Sequence, residues 1–302
     1  MRLHWDWLHP MMRVPYVPTL GPVHPREAGP ALFQHVFDIA DCGEFLPHDR
    51  DARWFAAKDE HVLTEAVLHD PHVTLIPTLS TRGKGTVKVI CYTGPSDTAA
   101  DLAAELAQVH GTARARIVWF QTPDHKPASG AAATRIQLRD FTNPAPHPGG
   151  VHPYSQLPPA VASTFAGIAD KLSGDGFGFL YEQMKADRVG PILTVVRDQT
   201  IVGAIGPMET GPDSTGATQL HPQYFGVLPD QRGHGHGRRL WRAAMHWGRT
   251  HGAEYQLLQT EVGGASDRLC QAEGLTSLGF TCVRDIGVSA RVSPANQSLR
   301  DD

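Results

Sequence analysis

Phe225-Gly-Val-Leu-Pro-Asp-Gln-Arg-Gly-His-Gly-His-Gly-Arg-Arg239 is the stretch that decides the fold. Its apolar start has the character of a strand end, the glycines at 233, 235 and 237 mark a tight loop, and the residues from Arg238 onward open a helix. The first N–H groups of a helix have no intrahelical acceptor and all point the same way. The helix dipole adds positive potential at that end. The loop is therefore predicted to hold a phosphate or pyrophosphate. Glycine lets the backbone approach such a ligand with no Cβ in the way, and Arg232, Arg238 and Arg239 add charge. A Walker loop would need Lys and Ser or Thr after Gly237, where Arg238-Arg239 stands. A dinucleotide fingerprint would need a third glycine at 238 or 240, and Arg238 and Leu240 occupy those positions.

Outward from the loop, the pattern predicts alternating strands and helices. Leu240, Ala244 and Trp247 sit at core spacing in a helix over Arg238–His251. Gln219–Leu228 is predicted as the single strand before the loop, and Tyr255–Val262 as the strand after the helix. A helix over Ala265–Ala272 and a last strand over Phe280–Val288 follow. Upstream lie helices over Ala160–Lys171 and Gly178–Ala186 and strands over Pro191–Arg197 and Thr200–Met208. The N-terminal half reads as mixed α/β: a helix over Asp51–His69, strands over His72–Leu79 and Thr86–Tyr92, a helix from Asp97 to His110, and a strand over Arg116–Gln121. Residues up to about Pro30 are proline-rich and predicted extended. Asn143-Pro-Ala-Pro-His-Pro-Gly-Gly-Val-His-Pro153 can hold neither a helix nor a central strand, and it marks a division into residues 1–145 and 155–302. A helix, His110-Gly111, a strand and Gln121-Thr122 in the first half echo a helix, His251-Gly252, a strand and Gln259-Thr260 in the second, which suggests a duplicated unit.

Composition narrows the function. The chain has 302 residues, 41% hydrophobic and 19% charged, enough for two ordinary cores. Net charge is −4 with the signs interspersed, so there is no basic stripe for nucleic acid and no polybasic run for a membrane surface. No stretch reaches the ~20 apolar residues of a membrane span, and the N-terminus lacks a signal-peptide core. Four cysteines without a C-x-x-C pair are predicted to be free thiols in a reducing cytoplasm. The 17 histidines are scattered with no metal-ligand spacing. His234 and His236 alone, without carboxylates or thiols nearby, make a poor metal pair, and no metal is expected.

Arg232, Gly235 and Gly237 satisfy R-x-x-G-x-G after Val227-Leu-Pro229. Leu269-Cys-Gln-Ala-Glu-Gly-Leu-Thr-Ser-Leu-Gly279 matches the leucine and both glycines of L-Y-x-x-x-G-F-x-x-x-G. In these motifs, over roughly residues 155–290, the chain resembles the GNAT superfamily of N-acetyltransferases. The resemblance implies an acyl-coenzyme A co-substrate. It implies that backbone groups near Phe225 and Val227 hold the pantetheine arm in a gap between the strands before and after the loop. It also implies a pyrophosphate on Arg232, Gly233, His234, Gly235, His236, Gly237 and Arg238. Family members often carry a glutamate six residues before the proline, and here that position is Gln223, which cannot act as a base. His221 is the candidate base, Glu209 the second and Glu261 the third. Cys270 stands where the family has tyrosine and leaves the general acid unassigned, with Tyr224 and Tyr255 as possibilities. A thiolate with a pKa near ~8.5 leaves with little acid help.

The expected architecture is therefore α/β with mixed sheets: two GNAT-like domains in tandem, the second competent and the first degenerate. The first half has no glycine loop where its helix begins at Pro95-Ser96-Asp97, and Asp97 would repel a pyrophosphate. This arrangement is similar to that of mycothiol synthase and of acyltransferases acting on glycopeptide antibiotics. The expected reaction is direct acyl transfer to a primary amine of a small molecule, an amino sugar or another specialised metabolite. The alternatives are a non-enzymatic acyl-CoA sensor and a protein acetyltransferase.

Overall fold

In chain order the computed structural model contains α1 (Trp5–Leu8), β1 (Tyr16–Val17), β2 (Gly21–Pro22), α2 (Pro30–Asp38), β3 (Glu60–Val62), β4 (Leu68–His69), β5 (Thr74–Ser80), β6 (Thr86–Cys91), α3 (Asp97–Val109), β7 (Arg114–Gln121), β8 (Ala132–Asp140), β9 (His152–Pro153), α4 (Pro159–Ala162), α5 (Phe165–Lys171), α6 (Phe177–Lys185), β10 (Leu193–Arg197), β11 (Thr200–Gly206), β12 (Thr210–Pro212), β13 (Thr218–Leu220), β14 (Tyr224–Val227), α7 (His236–Thr250), β15 (Tyr255–Glu261), α8 (Ala265–Ala272) and β16 (Thr276–Ile286). It describes residues 2–8, 14–39, 42–125, 127, 132–142 and 148–287. Residues 143–147 of the proline-rich link and Val288 lie outside that set. The chain divides into two compact units, Met1–Ile136 with the chain from Leu278 onward, and Gln137–Ser277. Among the described residues no helix is long and apolar enough to cross a membrane.

The first unit is built on strands in the order β3-β5-β6-β7-β16, with β4 also on β5. β5 and β6 are antiparallel, while β6 and β7 run parallel, joined by α3. Ser96 caps α3, its hydroxyl accepting from the N–H of Ala99, and Ala99, Ala103 and Ala107 form the buried face. Two expectations fail here, and one element was not anticipated. Asp51–His69 is not a helix: it contains a 3-10 turn over Arg50–Arg53, then β3 and β4, both paired to β5. Pairing to a preformed strand edge and burial of Val62 override a weak helical pattern. The N-terminal residues are not simply extended, because Trp5–Leu8 is helical and β1 and β2 form a hairpin. The sequence reading also passed over α2, although Gly29-Pro30 before Leu32, Phe33, Val36 and Phe37, all buried, is a helix start followed by helical spacing.

In the second unit a four-stranded sheet, β14-β11-β10-β9, carries α7 on one face and α5 and α6 on the other. Leu240, Trp241, Ala244 and Met245 of α7 pack with Val195, Val202 and Ile205. Phe165, Ile168, Phe177 and Leu180 pack with Ile201 and Ala204 on the opposite face. The expected helix over Ala160–Lys171 breaks into α4 and α5. The Thr164 hydroxyl bonds the Val161 carbonyl at 2.6 Å and accepts from the Ile201 N–H at 3.0 Å, and such back-bonding interrupts a helical ladder.

The most consequential difference concerns Gln219–Leu228. The chain here is not one strand but two. β13 pairs with β15 in parallel and with β12 antiparallel, whereas β14 pairs with β11 in the other sheet. The alternation argument that set residues 221, 223, 225 and 227 on one face does not survive the break at 221–223.

Beyond the loop, a buried polar triad fixes the turn after β15. Gln137 Nε2 donates to Thr260 Oγ1 at 2.7 Å and to Asp267 Oδ1 at 3.3 Å, and the Gly263 N–H donates to Asp267 Oδ2 at 2.9 Å. Gln137 is fully buried and Asp267 is 1% exposed. Asp267→Ala removes the acceptor shared by Thr260 Oγ1, Gln137 Nε2 and the Gly263 N–H, so it is expected to lower unfolding free energy by about 1–3 kcal/mol. Urea titration followed by intrinsic fluorescence measures this, and a loss under about 0.5 kcal/mol would show that the triad does not restrain the turn.

Candidate functional site

The loop after β14 is a 3-10 turn over Pro229–Gln231, then Arg232, and then two glycines in the left-handed region, Gly233 at φ 84° and Gly235 at φ 78°. Such angles strain any residue with a Cβ. Gly235 is the N-cap of α7, and no side chain caps the helix. The first N–H groups of α7 thus stay available, and nothing lies within 4 Å of where a Cβ on either glycine would stand. The loop is an open cradle at the positive end of a 15-residue helix.

β14 delivers the chain to that cradle and is an outer strand of its sheet. The Leu228 N–H donates to the Val202 carbonyl at 2.9 Å. In an antiparallel ladder inward and outward pairs alternate. Gly226 and Tyr224 therefore share the inward role of Leu228, while the N–H and C=O groups of Phe225 and Val227 face the open edge. In accord with this, Arg232 Nε donates to the Val227 carbonyl at 3.1 Å. Because β15 belongs to a different ladder, no strand closes that edge among the described residues. The two strands flanking α7 belong to different ladders, and the Phe225 and Val227 backbone groups point away from β11.

His221 and Glu209 come together, which the sequence did not foretell. They lie opposite each other, one residue past the Thr210–Leu220 pair of β12 and β13. The His221 N–H donates to the Glu209 carbonyl at 2.9 Å, and His221 Nδ1 lies 3.9 Å from Glu209 Oε2. Both side chains are largely covered, at 13% and 26% exposure. Gly211 makes room for the imidazole, since a methyl there would come within 2.7 Å of His221 Nε2. The first two base candidates are thus a pair rather than rivals. Glu261 ends β15 and is exposed.

Gln223 also has a structural partner that sequence reasoning missed. Its amide Nε2 donates to the His221 carbonyl, and its Oε1 accepts from Gln256 Nε2 at 2.9 Å. Gln256 sits on β15 and is fully buried. The two amides tie the break in the chain to the neighbouring strand. No motif could have flagged Gln256, because its role depends on a crossing between ladders.

Tyr255 is committed elsewhere: its hydroxyl donates to Asp213 Oδ2 at 2.8 Å in a buried contact. Burial would raise the Asp213 carboxyl, but hydrogen bonds from Tyr255, Thr215 and Ala217 outweigh it and hold the group below its ordinary range. Tyr224 is half-buried against Phe179, with ring centroids 6.2 Å apart. Cys270 is 2% exposed, and burial first, then Asp267 and Glu273, push its thiol up to about 11. It is a core residue, not a nucleophile. Among the described residues no group of three or more His, Cys, Asp or Glu could hold a metal.

Residues 165–270, from α5 to α8, match the acetyltransferase (GNAT) family. This stretch is a GNAT domain. Its general class is that of acyl-CoA-dependent acyltransferases. Similar solved structures include a GCN5-related N-acetyltransferase from Sphaerobacter thermophilus, 13% identical with a TM-score of 0.46, covering 72% of this chain and 77% of that one. Another is a tandem GNAT protein from the clavulanic acid biosynthesis pathway, 15% identical with a TM-score of 0.44, covering 72% and 80%. A GNAT-family acetyltransferase from Colwellia psychrerythraea is 9% identical with a TM-score of 0.48, covering 85% and 97%. No curated protein matches the sequence.

The first unit repeats the strand–helix–strand order of the GNAT domain but not its gap. β6 and β7 are hydrogen-bonded neighbours through six register pairs, from Thr86–Arg114 to Cys91–Trp119. The helix between them begins with Asp97 and no glycine cradle. The echo at its far end is real in geometry: Gly111 at φ 63° follows α3 as Gly252 at φ 81° follows α7.

Within the GNAT domain His236 stands out. It is the first residue of α7, is 8% exposed, and neither ring nitrogen has a partner. Burial, then Arg239, His234 and Arg197, lower its pKa. A lowered value means that the folded chain resists a proton that the unfolded chain accepts below about pH 6.5, so the resulting stability is full above that pH and falls with acidification. Wild type is therefore expected to lose more stability than His236→Asn between about pH 7.5 and pH 5.5 in urea unfolding. Equal losses would show that His236 titrates alike in both states.

Proposed function

We propose that the chain transfers an acyl group from coenzyme A to the amine of a small molecule. The open outer edge of β14, leading into the glycine cradle of α7, is the observation that carries this reading. The residues present fit the coenzyme. Phe225 and the Val227 N–H offer backbone groups along the edge, the Val227 carbonyl already accepts from Arg232 Nε, and the cradle offers N–H groups over open space at Gly233 and Gly235. Arg232, Gly233, His234, Gly235, His236, Gly237 and Arg238 would hold the pyrophosphate, and the edge would hold the pantetheine arm. The bound donor supplies a thioester with a good leaving group.

The chain's own residues have two tasks. Main-chain donors on β14 stabilise negative charge as it develops on the carbonyl oxygen. His221 takes a proton from the acceptor at Nε2, the nitrogen away from Glu209. An alkylamine with a pKa near ~10 is mostly ammonium at pH 7, and freeing it costs about 4 kcal/mol. Glu209, beside Nδ1, orients the ring and balances the charge that it gains. The tied amides of Gln223 and Gln256 keep the His221 backbone in place. The first unit, its β6–β7 seam closed, takes no donor. The acceptor we propose is an amino sugar or another specialised metabolite, by analogy with the family, and not nucleic acid or a membrane. Buried Cys91, Cys270 and Cys282 suit a reducing cytoplasm.

Calorimetric titration with acetyl-CoA and longer acyl-CoAs tests the reading. Wild type is expected to bind with a chain-length preference, and Gly235→Glu is expected to bind none of them. His221→Ala is expected to lower kcat about 100- to 1000-fold while donor affinity stays within about twofold. Donor binding without turnover on any amine would favour a sensor, turnover on peptide amines alone would favour a protein acetyltransferase, and no binding would overturn the proposal.

A further inference from the structure

A second basic feature borders the cradle and extends past the glycine motif. Pro148, Gly149, Gly235, Arg238, Arg239 and Arg242 line a cavity of about 240 Å³. Arg238 and Arg242 lie one helical turn apart, about 6 Å along the axis of α7. Both are held by Glu273, whose side chain is 9% exposed. Arg238 Nε is 3.0 Å from its Oε1, and Arg242 binds it with two donors at 2.9 Å. Arg239 has no carboxylate partner among the described residues. Its Nη1 instead lies 3.3 Å from where a Cβ on Gly150 would stand, and Gly150 has a φ of 75°. The link residues thus approach Arg239 closely because glycine is there.

Three guanidinium charges against one carboxylate leave the cavity with a net charge of +2. Fixed, planar donors around a small space suit a doubly charged tetrahedral group, since Arg pairs with phosphate oxygens through two parallel hydrogen bonds. One carboxylate orienting two arginines also lowers the ordering cost of binding such a group. The cavity shares Gly235 and Arg238 with the cradle, so a ligand anchored by a pyrophosphate on the loop can extend into it.

We propose that this cavity receives the phosphomonoester on the nucleoside of coenzyme A, and that Arg239 and Arg242 make the protein select the 3′-phosphorylated coenzyme over its dephospho form. The inference rests on the reading of the cradle as a coenzyme A site. It assigns a selective role to two arginines outside the glycine motif and to the Pro148–Gly150 segment of the link.

Calorimetry with coenzyme A and with dephospho-coenzyme A separates the two claims. Wild type is expected to bind coenzyme A about tenfold more tightly, the size of one good charge-assisted hydrogen bond. Arg239→Gln is expected to reduce that ratio to about twofold or less, with affinity for dephospho-coenzyme A falling by no more than about threefold, which also shows that the variant is folded. Arg239→Lys is expected to keep part of the preference, because charge remains while the planar fork is lost. Equal binding of both ligands by wild type overturns this inference and leaves the coenzyme reading standing. A preference that survives both Arg239→Gln and Arg242→Gln places phosphate selection elsewhere and overturns it as well. If neither ligand binds, both readings fall.

Discussion

Three residues between Leu220 and Tyr224 carry the chain out of one ladder and into another, and the rest of the GNAT domain depends on that step. A strand that continued in one sheet would have placed β14 against β15 and satisfied every backbone group of both. Changing sheets leaves the Phe225 and Val227 groups unpaired by any strand, with only the Val227 carbonyl taken up by the Arg232 side chain. An exposed strand edge is a liability in most folds. Here it is short, and it runs directly into a helix start whose own N–H groups are also unspent. Backbone groups thus line this edge and the loop beyond it, and side chains mainly keep both open.

Holding such a break requires polar groups where apolar ones would ordinarily pack. Gln256 is fully buried and spends its amide on Gln223, while Gln223 reaches the His221 carbonyl. Towards the far end of β15, Gln137, Thr260 and Asp267 perform a similar task for the turn before α8. Buried polar networks rigidify only when most members are satisfied. These are short chains of amides and hydroxyls with the Asp267 carboxylate, joined to backbone at the Gly263 N–H and the His221 carbonyl. Glu273 applies the same logic at the surface by fixing two arginines that would otherwise move freely.

Much of this was legible in the sequence, in proportion to how local the cause was. The glycine loop, α7, β15 and α8 follow from residues within one turn of each other, and so does the Ser96 cap of α3. The free edge at Phe225 and Val227 was implied only through the family resemblance, because edge or centre is a property of the sheet. The His221–Glu209 pair could be named residue by residue but not as a pair, since it depends on the β12–β13 register. Gln256, Arg242 and Gly211 carried no sequence signal, being made important by strands and helices crossing at a distance. Asp51–His69 misled for the opposite reason: its local pattern was helical, and pairing with β5 decided otherwise.

The first unit shows what a closed seam entails. β6 and β7 hold each other over six register pairs, the full length of β6. Grafting a glycine loop between Tyr92 and Asp97 would create an anion cradle whose ligand has no groove to lie in. Converting that unit would mean unzipping a parallel ladder at the heart of its sheet, beside the buried Val87, Val89 and Ile90. Pairing of these two strands is in that sense a one-way ratchet. Single substitutions can erase a cradle, but no single substitution reopens a paired strand.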